Sequence, residues 1–384
     1  MAHVFYAFPE PLPLPRARGV QVAYAVQSLA EAGLRITLAY VPEADLSPFV
    51  PAGGRTPAEV SLKPLSWGWP SPFNRIPPFS RWHSVRWFLR RLLGEIQRAL
   101  PDLLYVRHLK LASLLLESAP LPPLIYEAHE VFADTSSPKR RARVGLMERQ
   151  VISRCAGLVC NSQATANRLV ALYGQPKRLL VLPNGVASPE RIPEKPWTQA
   201  QHNIIYAGSF FGWKGVDDLV AAAAELPGFQ ITLIGGEPEQ FARIKSRFSP
   251  TGAQIELLPR MPHAEVMQRL SASCIAVLPN RADTDSAFTS PIKLFEYMAA
   301  GCAIVAADLP AVREILLEEE AAWFKPGDSA DLARALKSIC QNTATAQQMA
   351  EHLRTKSAAY TWQARAQRLK VFIELTLAES SPKN

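Results

Sequence analysis

Two stretches of the 384-residue chain place chemistry-bearing residues directly behind runs that read as β-strands. In Tyr206-Ala-Gly-Ser-Phe-Phe-Gly-Trp-Lys-Gly215 a strand ends in a glycine-rich turn through Gly208 and Ser209, where a ligand can approach the backbone, and Lys214 opens the next helix. Helix starts favour acidic residues, so a lysine there reads as aimed at an anion such as phosphate; the alternative is a solvated lysine. In Ser290-Pro-Ile-Lys-Leu-Phe-Glu-Tyr-Met-Ala-Ala-Gly301, Pro291 suits a first helical turn, whose free N–H groups and dipole attract phosphate oxygens. Lys293 and Glu296 lie one turn apart, so Glu296 either accepts bonds from a ribose diol or forms a helix-stabilising pair with Lys293. A lone histidine, His129 in Tyr126-Glu-Ala-His-Glu130, also follows a strand, a position more often structural than functional.

The elements that must carry these residues alternate short β-rich runs with helical stretches almost from end to end. That pattern predicts an α/β protein with doubly wound parallel sheets. Strands are expected at 3–8, 35–41, 103–106, 124–127, 157–160 and 179–182, then at 204–207, 230–234, 255–258, 275–278 and 303–306, as near-continuous apolar runs. A helix over 19–32 finds its stop signal in Gly33. After the turn Pro183-Asn184-Gly185, residues 188–202 are rich in Pro, Glu and Lys without a period and read as an interdomain linker. The expected domains are 1–187 and 203–356, with a terminal segment 357–384. Ligands of open α/β sheets bind at the carboxyl ends of the strands, so the site is expected in a cleft between the two domains.

Composition narrows the function classes. Hydrophobic residues make up 48% and charged residues 20%, as in ordinary globular enzymes, which argues against disordered and collagen-like chains. No apolar run approaches the ~18 residues of a membrane span, and the first fifteen residues lack a secretory pattern, so a cytoplasmic protein is expected. Five cysteines without a C-x-x-C pair are expected to be free and mostly buried. There is no G-x-G-x-x-G and no Gly-Lys dipeptide, which argues against a dehydrogenase and excludes a Walker A loop. The net charge of +8 allows nucleic acid, an anionic membrane surface or phosphorylated substrates, but no aromatic or groove-reading motif supports nucleic acid.

Four segments in register give a more specific reading: Glu148-x-x-Val-x-x-x-x-Ala-Gly-Leu-Val-Cys-Asn-Ser162, Val181-Leu-Pro-Asn-Gly-Val186, residues 206–215 and residues 290–301 followed by Cys-Ala-Ile-Val-Ala. Together they resemble the retaining glycosyltransferases of family 4, whose GT-B architecture is two Rossmann-like domains facing a central cleft. The family's terminal helix, which crosses back to the first domain, would match Tyr360-Thr-Trp-Gln-Ala-Arg-Ala-Gln-Arg-Leu-Lys370. The resemblance implies that Lys214 holds a donor pyrophosphate, that Glu296 binds ribose, and that backbone N–H groups near Thr289, Ser290, Pro291 and Ile292 receive phosphate oxygens. It places His129 beside the donor sugar, making Lys214, His129 and Glu296 the catalytic candidates. Gly19 resembles the glycine loop of the acceptor domain. Arg18, Arg107, Glu130 and Arg281 become candidates for acceptor or phosphate contacts.

Two departures accompany the resemblance. Phe288 stands where the family's E-x7-E pattern has its first glutamate, and Ser209 where an arginine often accompanies the lysine. Asp285 is then a substitute for the missing acid, and Arg281 or Arg260 for the missing cation. Asp283-Thr-Asp285 has the D-x-D form of a metal signature in a different glycosyltransferase fold, but the surrounding site resembles a metal-independent one, so neither cofactor nor metal is expected. The implied activity is transfer from a UDP- or GDP-linked sugar to a glycan, lipid-linked or small-molecule acceptor with retention. A sugar-nucleotide 2-epimerase and a non-catalytic regulatory member of the fold are the alternatives.

Charge also gathers at residues 67–98, where Trp82, Val85, Phe88, Leu89 and Leu92 recur at helical spacing beside arginines. Such a stripe meets either an anionic bilayer at the inner membrane face or the protein's own sheet. A second basic cluster, Lys139-Arg-Arg-Ala-Arg143, reads as an acceptor-phosphate contact or as a solvated run.

Overall fold

The computed structural model describes residues 1–12, 17–42, 58–66, 85–118, 120–187, 189, 191–247, 252–283 and 292–380. The chain divides into two units, Met1–Asn184 with Trp362–Asn384, and Gly185–Thr361.

The first unit is built on a seven-stranded sheet of order β3-β2-β1-β4-β5-β6-β7, every neighbouring pair parallel. Its strands are β1 (His3–Leu12), β2 (Arg35–Pro42), β3 (Val60–Pro64), β4 (Leu103–Val106), β5 (Leu124–Ala128), β6 (Gly157–Cys160) and β7 (Leu179–Val181). Continuous burial along β1, β4, β5 and β6 follows from helices covering both faces, which is why these runs are apolar without alternation. The first half of the chain supplies helices α1 (Ala17–Glu31), α2 (Val85–Ala99), α3 (Leu109–Glu117), α4 (Phe132–Thr135), α5 (Pro138–Arg154) and α6 (Gln163–Tyr173). Strand β3 was not expected: its Val-Ser-Leu-Lys-Pro sequence is half-exposed at the sheet edge and carries no buried run.

On helix α2 the stripe turns toward the protein. Phe88 and Leu92 are wholly buried and Ile96 nearly so, so the stripe is part of the first unit's core rather than an outward lipid face. Arg86 and Arg90 are exposed and Arg91 donates to the Ser66 carbonyl at 2.8 Å; Trp82 lies outside the described residues. Among the described residues no helix is long and apolar enough to cross a membrane.

The second unit has a six-stranded parallel sheet of order β10-β9-β8-β11-β12-β13. Its strands are β8 (Ile204–Ala207), β9 (Gln230–Gly236), β10 (Gln254–Pro259), β11 (Ile275–Leu278), β12 (Ala303–Ala307) and β13 (Ala322–Phe324). Its helices are α7 (Val216–Ala223), α8 (Pro238–Lys245), α9 (His263–Ala272), α10 (Ile292–Ala299), α11 (Pro310–Arg313), α12 (Ser329–Gln341) and α13 (Thr343–Ser357). Residues 188–202, read above as a linker, belong to this unit. Lys195 is buried there and its ammonium donates to the carbonyls of Ser273 (2.5 Å) and Ala300 (2.8 Å), capping backbone ends that would otherwise be orphaned. A Pro-, Glu- and Lys-rich composition hid this role.

The last helix, α14 (Trp362–Ser380), belongs to the first unit. Trp362 stacks on Tyr24 of α1 with centroids 5.6 Å apart, and Lys370 donates to the Ala32 carbonyl at 2.9 Å. Phe372 packs so closely on β6 that a Cβ at Gly157 would lie 2.8 Å from its ring. All five cysteines are free thiols, four of them buried and Cys340 half-buried.

Gly215 joins the Lys214 turn to α7 in the left-handed region (φ 69°), and a Cβ there would stand 1.6 Å from the Pro279 carbonyl oxygen. Gly215→Ala should therefore lower stability by about 2 kcal/mol or more, from strain and backbone clash together. Gly212→Ala, whose added methyl would meet no atom within 4 Å, should change it by less than about 1 kcal/mol. Paired thermal or urea unfolding curves check this, and equal midpoints would count against the tight turn.

Candidate functional site

Both sheets change winding direction once. In the first the switch lies between β1 and β4, in the second between β8 and β11, and at such a point the connections diverge and leave a crevice at the strands' carboxyl ends. In the second unit Gly208, Ser209 and Lys214 follow β8, while Pro279, Arg281 and Asp283 follow β11. In the first unit Arg107 follows β4, and His129 and Glu130 follow β5 next to it.

The second unit's turn is tightly built. The Gly208 N–H donates to the Ile234 carbonyl (2.9 Å), and the Tyr206 hydroxyl donates to the Ser209 carbonyl (2.9 Å), so the backbone doubles back over its own strand. Lys214 lies over the Trp213 ring, its Nζ 3.8 Å from the centroid, a cation–π contact. Burial, and then the neighbouring charge of Lys293, lower its pKa to about 8. Among the described residues no carboxylate pairs with Lys214.

Glu296 on α10 is buried, and its carboxylate is already engaged: Lys293 Nζ donates to Oε2 at 2.7 Å, and His263 Nε2 lies 3.0 Å from Oε1. Burial alone would push this carboxyl up, but Lys293 and His263 outweigh it and hold the pKa at about 2. The helix-stabilising pair with Lys293 is thus present, while each carboxylate oxygen retains a further lone pair for a hydroxyl. His263 opens α9, thirty-three residues before Glu296, and no spacing in the sequence signals it.

Arg281 is held by Asp218 of α7 in a bidentate pair, Nε to Oδ2 at 2.6 Å and Nη2 to Oδ1 at 2.5 Å, and its N–H donates to the Trp213 carbonyl at 2.9 Å. It ties the β11 loop to the Lys214 turn, and its remaining guanidinium nitrogen, Nη1, takes no part in the Asp218 pair. Arg260 is exposed beside Glu237, 3.7 Å away. Ile292 is half-buried at the start of α10, and Asp283 is exposed. Asp285, Phe288, Thr289, Ser290 and Pro291 lie outside the described residues. Among those described, no group of three His, Cys, Asp or Glu side chains is placed to hold a metal.

In the first unit the centre is Glu127, which the sequence reading passed over. It is buried inside β5; the Tyr105 hydroxyl donates to Oε2 at 2.7 Å and Arg365 Nη2 of α14 donates to Oε1 at 2.5 Å. Arg107 Nε lies 3.7 Å from Oε2. Burial opposes ionisation, yet Arg365 and Arg107 together hold the carboxyl well below the usual range. Arg107 is itself buried and also donates to Gln21 of α1 (2.7 Å). The His129 ring, a quarter exposed, has Nε2 3.0 Å from Glu127 Oε1, a close polar contact off the line of a hydrogen bond, and Nδ1 3.4 Å from Arg107 Nη2. Burial and the Arg107 charge lower its pKa to about 4.

The loop beyond His129 is pinned from three sides. Asn161 Nδ2 donates to the His129 carbonyl (2.9 Å), and buried Glu148 accepts from the N–H groups of Phe132 (2.7 Å) and Ala133 (3.0 Å) and from the Tyr173 hydroxyl (2.8 Å). Glu148 thereby supplies the N-terminal cap of α4 from another helix. Glu130 accepts from the Thr135 hydroxyl at 2.9 Å, and exposed Arg18 pairs with Glu10 at 3.3 Å. Gly19 is buried in the first turn of α1 rather than in a loop; residues 13–16 before it lie outside the described set.

The Glu296 cluster makes stability depend on acid in a defined direction. Its folded pKa near 2 lies below the ordinary 4.5, so its contribution is full above about pH 4.5 and is lost as pH falls through about 2. The stability difference between wild type and Glu296→Gln should accordingly shrink over that window, measured by urea unfolding at successive pH. A difference that stays constant down to pH ~2 would show that the carboxylate is not held by Lys293 and His263.

Comparison with known proteins agrees with this geometry. The family model for glycosyl transferases group 1 matches residues 188–356, and that for glycosyltransferase family 4 matches residues 19–188. D-inositol 3-phosphate glycosyltransferase 1 of Catenulispora acidiphila is 24% identical over 247 residues, 58% of this chain and 58% of its own length, so the match spans little more than half of that relative. Among solved structures, sucrose-phosphate synthase from Thermosynechococcus elongatus superposes with a TM-score of 0.78 at 16% identity, covering 99% of this chain and all of its own. HepE of Anabaena in complex with UDP-glucose superposes with a TM-score of 0.70 at 14% identity, covering 99% of this chain and all of its own. At such identities the structural likeness speaks for the fold, while the two adjoining family matches carry the assignment: the chain belongs to the group 1, family 4 glycosyltransferases of the GT-B fold.

Proposed function

We propose that the chain is a glycosyltransferase that moves a sugar from a nucleoside-diphosphate donor, UDP- or GDP-linked, to a hydroxyl of a glycan, lipid-linked or small-molecule acceptor with retention of configuration. The observation that supports it most is Lys214: a cation on a glycine-rich turn at the second unit's switch point, lowered in pKa by burial and by Lys293, and without a carboxylate partner among the described residues. Lys293 is already paired with Glu296, whereas the Lys214 ammonium has no carboxylate partner among the described residues, and a diphosphate would supply the missing anion. UDP-glucose in HepE is consistent with a nucleotide-sugar donor.

In this reading the C1–O bond to the diphosphate breaks and a C1–O bond to the acceptor forms on the same face. The departing phosphate oxygen takes the acceptor's proton, so no side-chain base is required. Charge grows on the leaving diphosphate, and donors already fixed in a poorly solvated site stabilise it most. Lys214 and the N–H groups opening α10 serve that end, Glu296 accepts the ribose hydroxyls, and His129 stands beside the sugar. Metal is not needed where an ammonium and a helix terminus neutralise the phosphate. Neither a 2-epimerase nor a non-catalytic role is favoured by the relatives.

Lys214→Ala should lower kcat/KM by about 10²-fold or more, through loss of a charge facing the leaving group. Because Lys214 is protonated only below about pH 8, wild-type kcat/KM should hold below that value and decline above it, and Lys214→Arg should abolish this decline. Excess EDTA should leave turnover unchanged. A Lys214→Ala enzyme within about threefold of wild type, or collapse of activity in EDTA, contradicts the assignment.

A further inference from the structure

We propose that Arg107 and Glu127 are positioning residues that hold the His129 imidazole uncharged, with its proton on Nε2 and with Nδ1 as a hydrogen-bond acceptor. The chemistry of the two partners fixes the ring's proton. A guanidinium has no acceptor, so the ring nitrogen facing Arg107 Nη2 at 3.4 Å has to present a lone pair, and that nitrogen is Nδ1. An ionised carboxylate has no donor, so the nitrogen 3.0 Å from Glu127 Oε1 has to carry the proton, since a buried lone pair facing that charge would be repelled without solvent to relieve it. Glu127 stays ionised because Arg365 and Arg107 face it and Tyr105 donates to it. A second proton on the ring would displace the Arg107 contact and set a cation against a guanidinium.

The charged groups acting on the ring come from three elements: Glu127 on β5, Arg107 behind β4 and Arg365 on α14. One carboxylate against two guanidinium groups leaves a net positive surrounding, which agrees with the lowered pKa of about 4. The benefit to catalysis rests on the glycosyl-transfer reading. A sugar leaving its diphosphate acquires oxocarbenium-like positive charge, and an imidazolium beside it would oppose that charge, whereas a neutral ring does not.

The test is long-range nitrogen–proton NMR of the histidine rings in the free protein, with His129→Gln identifying the signal. From about pH 6 to 8 the wild-type ring should be neutral and protonated on Nε2. Arg107→Met should raise its titration midpoint by about one unit or more, because Glu127 then acts on it with one opposing cation fewer. Arg107→Lys, which keeps the charge, should leave the midpoint within about half a unit of wild type. A proton on Nδ1, an imidazolium at neutral pH in the wild type, or a folded Arg107→Met with an unmoved midpoint overturns the proposal; if Arg107→Met does not fold, the wild-type tautomer and Arg107→Lys decide. These spectra are recorded without substrate, so loss of sugar transfer with the tautomer intact would count against the glycosyl-transfer reading and not against this one.

Discussion

Glu127 sits inside a parallel sheet, 2% exposed, and the first unit is arranged so that its charge is met. Removing one partner from a buried carboxylate typically costs about 3–5 kcal/mol, comparable to a large part of a domain's net stability. One of those partners, Arg365, comes from residues 362–380, after the whole second unit has been traversed. Arg365 also donates to the Pro183 carbonyl, and Arg368 donates to the Val181 carbonyl, so the same helix fixes the carboxyl end of β7. The first unit is therefore discontinuous in sequence for an electrostatic reason as well as a packing one. Its core and the orientation of His129 both depend on a helix supplied last.

The second unit handles charge differently. Glu296, Lys293 and His263 form a closed set in which each charge has a partner, and Arg281 with Asp218 forms another. Among the described residues Lys214 has no carboxylate partner. Gly215 cannot accept a side chain because Pro279 crosses behind it, so the turn that presents Lys214 is fixed by backbone contact as well as by the Arg281–Asp218 pair. A cation that is placed rigidly and left without a carboxylate is what recognition of an anionic leaving group requires.

Strands with unbroken apolar runs were legible in the sequence because burial on both faces removes alternation, and β4, β6, β8 and β11 fall where those runs predict. Edge strand β3 and three-residue β13 were not, since half-exposed or very short strands carry no such run. Lys214 and the Lys293–Glu296 pair could be read from local spacing on a turn and a helix. The Glu127–Arg365, His263–Glu296 and Asp218–Arg281 pairs could not, because their members lie 238, 33 and 63 residues apart and only the fold brings them together. One signal was available: an acidic residue within the otherwise apolar Leu124–Ala128 run has to find a cation when buried. The amphipathic stripe on α2 could not be resolved from sequence, since a helix docked on a sheet and one lying on a bilayer show the same periodicity.

The central claim is that the second unit's switch point binds a nucleoside diphosphate through Lys214. Its most direct measurement is thermal unfolding of the wild type and of Lys214→Ala with UDP, GDP and the corresponding phosphate-free nucleosides, because a ligand that binds only the native state raises Tm. The account predicts that at least one diphosphate raises the wild-type Tm in a concentration-dependent way, that its nucleoside raises it far less, and that Lys214→Ala removes the difference between them. Equal stabilisation of both proteins by the diphosphate would contradict it.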